Sequence, residues 1–225
     1  MNQTNKRALI GLVQLLVVLA ASIFLPAWTL DYWQAWIFLA LFTVSVLAIT
    51  FYLMKNDPKL LERRTHAGLG AERERSQNII QSLAAIAFVA MFVVSALDHS
   101  FAWSAVPPYV VALGDLMVAL GLYFVFLVFK ENTFTSGIIE IDEEQKVVTT
   151  GPYALVRHPM YIGALVMIIG VPLALGSLWG LLAVVPMTLA LVWRLLDEEK
   201  FLAKNLAGYS DYQSKVRHRL LPLIW

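Results

Sequence analysis

The chain has 225 residues, 59% of them hydrophobic and 15% charged, with a formal net charge of +1 and no cysteine. That composition excludes a disordered chain, a nucleic-acid-binding face built on concentrated basic charge, and disulfide, thiolate or Cys-ligated zinc chemistry. A mean hydropathy of +0.69 means more apolar surface than a soluble fold of this size can hide from water, so an integral membrane protein is expected.

Crossing ~30 Å of hydrocarbon as a helix takes about 20 apolar residues. Residues 8–27 supply them, with Gln14 and Ser22 as polar breaks, and are too long for a signal-peptide core. Residues 33–54, 79–97 and 109–129 are the second, third and fourth such stretches. Residues 160–196 are too long for one crossing and are interrupted at Pro172, Gly176 and Ser177. They predict a tight hairpin of helices 160–175 and 178–196, with a kink at Pro186. The expected fold is all-α, with about six transmembrane helices, no internal repeat and no separate soluble domain.

The basic residues orient this bundle. All 17 Lys and Arg residues precede the first span, separate the second from the third or the fourth from the fifth, or lie at and beyond the end of the sixth. Arg73 and Arg75 belong to the second of these groups. The positive-inside rule then puts both ends of the chain in the cytoplasm, and an even number of crossings agrees. The outward connections offer Asp31, Asp98 and His99 and little else that is reactive. Polar groups gather instead in 55–77, 130–159 and 194–225, so a pocket on the cytoplasmic side is expected. Asp115 is the one carboxylate well inside a span: an intramembrane acid is a functional candidate, or it bonds a neighbouring helix or a buried water.

The segment from Gly151 to Gly163 is the densest in chemistry. Gly151-Pro152 marks a turn, and His158-Pro159-Met160-Tyr161 starts a helix with proline where its missing N–H costs nothing. Free N–H groups and the positive dipole end favour an anion there, Arg157 offers a bidentate fork, and Gly163 admits close approach of a ligand or another chain. The same residues also suit a plain interfacial anchor. Further on, Arg194 and Glu198 are one helical turn apart and can pair, while Glu198 or Glu199 can turn inward toward a cation or ribose hydroxyls. Phe201, Leu202, Leu206, Tyr209 and Tyr212 suit an amphipathic segment on the membrane surface. The run Asp142–Glu144 reads as a solvated loop. His66, His99, His158 and His218 are scattered, so no metal site is expected, and no Walker, GxGxxG, GxSxG or HExxH motif is present.

Gly151-Pro152-Tyr153, Arg157-His158-Pro159-Met160-Tyr161-Ile162-Gly163, Glu198-Glu199 and the ending Gly208-Tyr209-x2-Tyr212-x3-Val216-x3-Leu220-x-Pro222 resemble the isoprenylcysteine carboxyl methyltransferase family and the wider group with phospholipid N-methyltransferases. The resemblance covers about residues 130–225. It implies a catalytic region there and an S-adenosylmethionine-dependent methyltransferase without a Rossmann domain; nothing is carried over onto residues 1–129, which the apolar stretches alone predict to be a four-helix membrane region. It further implies that Tyr153, His158, Tyr161, Gly163, Glu198 and Glu199 bind the cofactor and that Arg157 and Arg194 act near the reacting group. The acceptor would be a lipophilic small molecule or lipidated substrate reached from the bilayer, methylated on a carboxylate oxygen or, alternatively, on a phospholipid nitrogen. The implied setting is the inner membrane of a bacterium, with membrane lipids as partners. The rival readings are a membrane reductase using NADPH and a non-catalytic scaffold or transporter.

Overall fold

A computed structural model describes residues 2–65, 75–139, 141–142, 144–222 and 225. His66, Arg73 and Glu143 lie outside the described residues. The described chain is helical, with no strand among its elements.

Helix α1 (Gln3–Ala27) begins at Asn2, whose side chain accepts the Asn5 N–H, and stops where Trp28 turns left-handed at φ 54°. Helix α2 (Trp33–Asn56) follows. Asp57 accepts the Leu60 N–H at 3.0 Å and starts the short helix α3 (Pro58–Thr65). Helices α4 (Arg75–Phe101) and α5 (Pro108–Glu131) come next, the latter with proline in its first turn, where no N–H partner is missed. After a loop and a 3-10 turn (Gly151–Ala154), α6 (Pro159–Ala174) and α7 (Leu181–Asn205) form the expected hairpin around Gly176, at φ 68°. A seven-residue helix, α8 (Tyr209–Lys215), ends the helical part.

Helices α1, α2, α4 and α5 are long and apolar enough to cross a membrane. Helix α6 is apolar but has 16 residues. Helix α7 does not end at residue 196; it runs on to Asn205 because Asp197–Lys204 are mostly good helix formers, and its charges begin at Arg194. The chain is an integral membrane protein with four clear spans and a shorter apolar hairpin.

Lipid tails are as apolar as leucine, so membrane helices associate through close packing of small residues. That is how α5 and α6 meet. A Cβ on Gly121 would lie 2.6 Å from the Gly163 carbonyl oxygen, one on Gly163 2.8 Å from that of Gly121, and one on Gly170 2.8 Å from that of Gly114. Beside Gly114, Asp115 is buried, and its Oδ1 has no hydrogen-bond partner among the described residues; the expected bond to a neighbouring helix is not made.

The α4–α5 connection and the α6–α7 turn are tied together at one end of the bundle. Asp98, expected in an outward loop as a reactive group, is instead 1% exposed. It accepts from Ser104 N (2.7 Å), Ser104 Oγ (2.7 Å), Ser177 Oγ (2.5 Å) and Trp179 N (3.3 Å). The buried Tyr32 donates to the Leu175 carbonyl at 2.6 Å and stacks on His99. Exposed Trp28, Trp33, Trp36, Trp103 and Trp179 surround this end, as interfacial aromatics do. The opposite end carries α3, the loop after α5, the start of α6, the end of α7 and α8.

Candidate functional site

A cavity of about 250 Å³ opens at that opposite end, near the lower limit of the about 300–1,000 Å³ common for ligand clefts. Its walls come from α3, the 132–148 loop, the 3-10 turn, the first turn of α6, the end of α7, and α8.

The described residues of the 132–148 loop lack regular structure and are held from outside. On α3, Arg63 donates to the Thr133 carbonyl (2.8 Å) and pairs with Asp142 (2.6 Å), while Arg64 donates to the Ser136 carbonyl (2.9 Å). The two guanidinium groups also lie over the Phe134 and Phe129 rings. The Arg63 hydrogen bond holds the Asp142 carboxyl below its usual range, so this acid is a tether for α3 and not a merely solvated charge. Behind the loop, Gly151 sits at φ +56°, and a Cβ there would meet the Glu131 side chain at 2.8 Å. This turn presents Tyr153, whose hydroxyl accepts from Asn132 (3.0 Å) and whose carbonyl accepts from the Tyr212 hydroxyl (2.7 Å). Burial pushes the Tyr212 phenol up to about 12, so it remains a donor at neutral pH.

Glu199 is the centre of a buried cluster. Its Oε1 accepts from Arg157 Nε (2.6 Å) and lies 3.3 Å from His158 Nε2, and its Oε2 accepts from Arg219 Nε (2.8 Å). Burial alone would raise the Glu199 carboxyl, but hydrogen bonds from His158, Arg157 and Arg219 outweigh it and bring the pKa down to about 2. Arg157 also donates to the Val216 and Arg217 carbonyls (2.8 and 3.1 Å), and the Arg157 and His158 N–H groups bond the carbonyls of His218 and Arg219 (3.0 Å each). The segment after α8 is thereby strapped across the start of α6.

Six of the eight expected site residues converge on the cavity wall: Tyr153, Arg157, His158, Tyr161, Arg194 and Glu198. Tyr161 donates to Glu198 at 2.6 Å, and Arg194 donates to the Gly137 carbonyl at 3.1 Å. Glu199 and Gly163 are not on the wall: Glu199 is engaged by its three basic partners, and Gly163 faces α5. The close approach that Gly163 permits is by the Gly121 backbone.

Arg64 and Tyr209 also line the cavity, although the sequence had not marked either as a site residue. Arg64 appeared in the sequence only as one of many inside-facing basic residues. Tyr209 was placed on a membrane-surface helix, yet it is 4% exposed, and with Leu206 and Tyr212 it packs against Ile141 and Val147 of the loop. Burial, then Glu199 and Glu198, push its phenol upward, and its hydroxyl has no hydrogen-bond partner among the described residues. Among those residues no group of three or more His, Asp or Glu is gathered to hold a metal ion.

Residues 109–208 match the family described as Phospholipid methyltransferase. The chain is 33% identical over 121 residues to the probable protein-S-isoprenylcysteine O-methyltransferase of Oryza sativa subsp. indica, covering 50% of this chain and 61% of that protein, and the match to subsp. japonica has the same values. It is 30% identical over 102 residues to the cobalt-zinc-cadmium resistance protein CzcN of Cupriavidus metallidurans, covering 44% of this chain and 47% of that protein. The chain thus spans about half to three-fifths of the length of the curated relatives it matches.

Proposed function

We propose, starting from the match of residues 109–208 to the phospholipid methyltransferase family, that the chain is a membrane-embedded methyltransferase using S-adenosylmethionine. The observation that carries this reading is the convergence of Tyr153, Arg157, His158, Tyr161, Arg194 and Glu198 on one cavity at the end of an apolar bundle. The acceptor is lipophilic and reached from the bilayer, and a carboxylate like that of a prenylcysteine is the preferred nucleophile. The chain makes six crossings, with α6 and α7 as the last two, both ends in the cytoplasm and the cavity on that side. A bacterial inner membrane is the setting.

The donor set fits the cofactor. Glu198 offers an anion to a positively charged sulfur or ammonium group, and the orphaned hydroxyl of buried Tyr209 lacks a partner that a bound molecule would supply. S-adenosylmethionine, when bound, supplies an electrophilic methyl group. The protein's own share is to orient, to exclude water and to hold charge. Tyr161 fixes the Glu198 carboxylate by its 2.6 Å hydrogen bond. The Glu199 cluster straps the segment after α8 across the start of α6, whose first turn lines the cavity, so Glu199 acts here as a positioning residue. An ionised carboxylate acceptor needs no general base. A phospholipid amine must be neutral to react, and the family match favours keeping that second reading; His158 would then be the base.

The test is labelled methyl transfer from S-adenosylmethionine by the purified full-length protein into membrane lipids and prenylcysteine analogues. Label in either fraction supports the reading and identifies the acceptor. No label, together with saturable NADPH binding and none for S-adenosylmethionine, overturns it in favour of a reductase.

A further inference from the structure

Helices α2 and α5 leave an open groove of about 320 Å³ between them, lined by Ser45, Ile49 and Tyr52 of α2 and by Ala119, Leu122 and Phe126 of α5. Each set recurs at three- and four-residue spacing and so forms one stripe along its helix. At 1.5 Å per residue, Ser45 to Tyr52 covers about 10 Å of helix axis. Both helices are long and apolar enough to cross a membrane, so the groove faces hydrocarbon, and lipid chains lie along the direction in which it runs. It shares no lining residue with the cavity, so whatever fills it is not the molecule whose reactive group enters the cavity.

One end of the groove is charged. Continuing each stripe by one turn reaches Lys55 on α2, three residues beyond Tyr52, and Lys130 on α5, four beyond Phe126. The Lys130 ammonium lies 5.9 Å from the centre of the Phe126 ring, which fixes it on the groove side of α5. Both lysines are exposed, and neither has an ion-pair partner among the described residues. The acids nearest to them in sequence are engaged elsewhere: Asp57 caps α3 through the Leu60 N–H, and Glu131 accepts from the Thr150 hydroxyl. A groove shaped for a chain, ending under two uncommitted cations, is complementary to a lipid with an anionic head.

We infer that the groove between α2 and α5 is a binding site for one anionic phospholipid, held as a resident lipid, with an acyl chain along Ser45–Tyr52 and Ala119–Phe126 and its phosphate between Lys55 and Lys130. Ile49 and Tyr52 also pack against the cluster of Leu53, Leu60, Leu61 and Phe129 that seats α3, so the bound chain braces the platform on which α3 stands.

The test titrates dioleoyl phosphatidylglycerol and dioleoyl phosphatidylcholine into delipidated full-length protein in detergent and counts bound lipids by native mass spectrometry. Neither lipid carries an amine or a carboxylate to be methylated, so the outcome does not depend on the methyltransferase reading. One phosphatidylglycerol should bind about tenfold or more tighter than phosphatidylcholine. The double variant Lys55→Gln/Lys130→Gln should lose that preference, at on the order of fivefold for each lysine near a membrane surface, while its phosphatidylcholine affinity stays within about twofold. Lys55→Arg/Lys130→Arg should keep the preference, and Ala119→Phe, which fills part of the groove, should weaken both lipids. Both lysines are exposed, so their variants test the site without disturbing the fold. Equal binding of the two lipids would overturn the inference, as would a preference that survives the double glutamine variant and disappears in Lys204→Gln/Lys215→Gln. A mass of two protein chains in place of a lipid adduct would assign the groove to a second copy and overturn it as well.

Discussion

Replacing Glu199 by glutamine separates a positioning carboxylate from a cofactor-binding one. Glu199 accepts from Arg157, His158 and Arg219, and its side chain is 6% exposed. Its pKa of about 2 against about 4.3 for an unperturbed glutamate corresponds to about 3 kcal/mol of folding stability at neutral pH. Removing the charge also strands the buried Arg157, and breaking a buried pair costs about 3–5 kcal/mol. At about 2–4 °C per kcal/mol for a chain of this size, Glu199→Gln should melt about 6–12 °C below wild type in detergent, followed by tryptophan fluorescence. The folded pKa is depressed, so the stabilisation is fully present above the unfolded value and fades as pH falls from about 4.3 through about 2. The gap between variant and wild type should therefore be complete at pH 7 and shrink by roughly half at pH 3. Glu198→Gln, which removes the charge from the cavity wall but leaves an amide oxygen able to accept from Tyr161, should melt much closer to wild type while binding S-adenosylmethionine more weakly. A Glu199→Gln protein that melts with the wild type at pH 7 would refute the strap that the cluster is said to form.

Gly163→Leu should prevent close packing of α5 on α6, since even its Cβ meets backbone at 2.8 Å; the expected result is loss of folded protein on size-exclusion chromatography, as overpacking here cannot be relieved by a rotamer change. Tyr209→Phe removes a hydroxyl that is buried without a partner, so its melting temperature should equal or exceed that of the wild type. Calorimetry should show weaker S-adenosylmethionine binding in the same variant, and unchanged binding would take Tyr209 out of the site.

The four long spans and the terminal hairpin were legible because hydrophobic length is a local property of the chain. The wall residues at 153–161 and 194–198 were legible because a short motif fixes both a turn and a helix start. What escaped depended on long-range partners. Glu198 and Glu199 are neighbours in sequence, and only the fold turns one to the cavity and the other to Arg157 and Arg219. Gly163 announced a close approach without saying what approaches. Asp98 looked like an exposed loop acid because Ser177 and Trp179, its partners, are 79 and 81 residues away. The tail from Leu206 to Tyr212 has the pattern of a surface helix, but the loop that covers its apolar side carries no regular signal of its own.

The grip of α3 on the 132–148 loop bears on how this protein can be divided. A split after residue 129 leaves every motif residue in the C-terminal piece, which makes that piece look transplantable. Yet Arg63 and Arg64 hold Thr133, Ser136 and Asp142 from the other side of the cut. The N-terminal helices therefore supply a ceiling as well as an anchor, and a chimera that grafts residues 130–225 onto foreign membrane helices would inherit the motif without the enclosure that gives it a cavity.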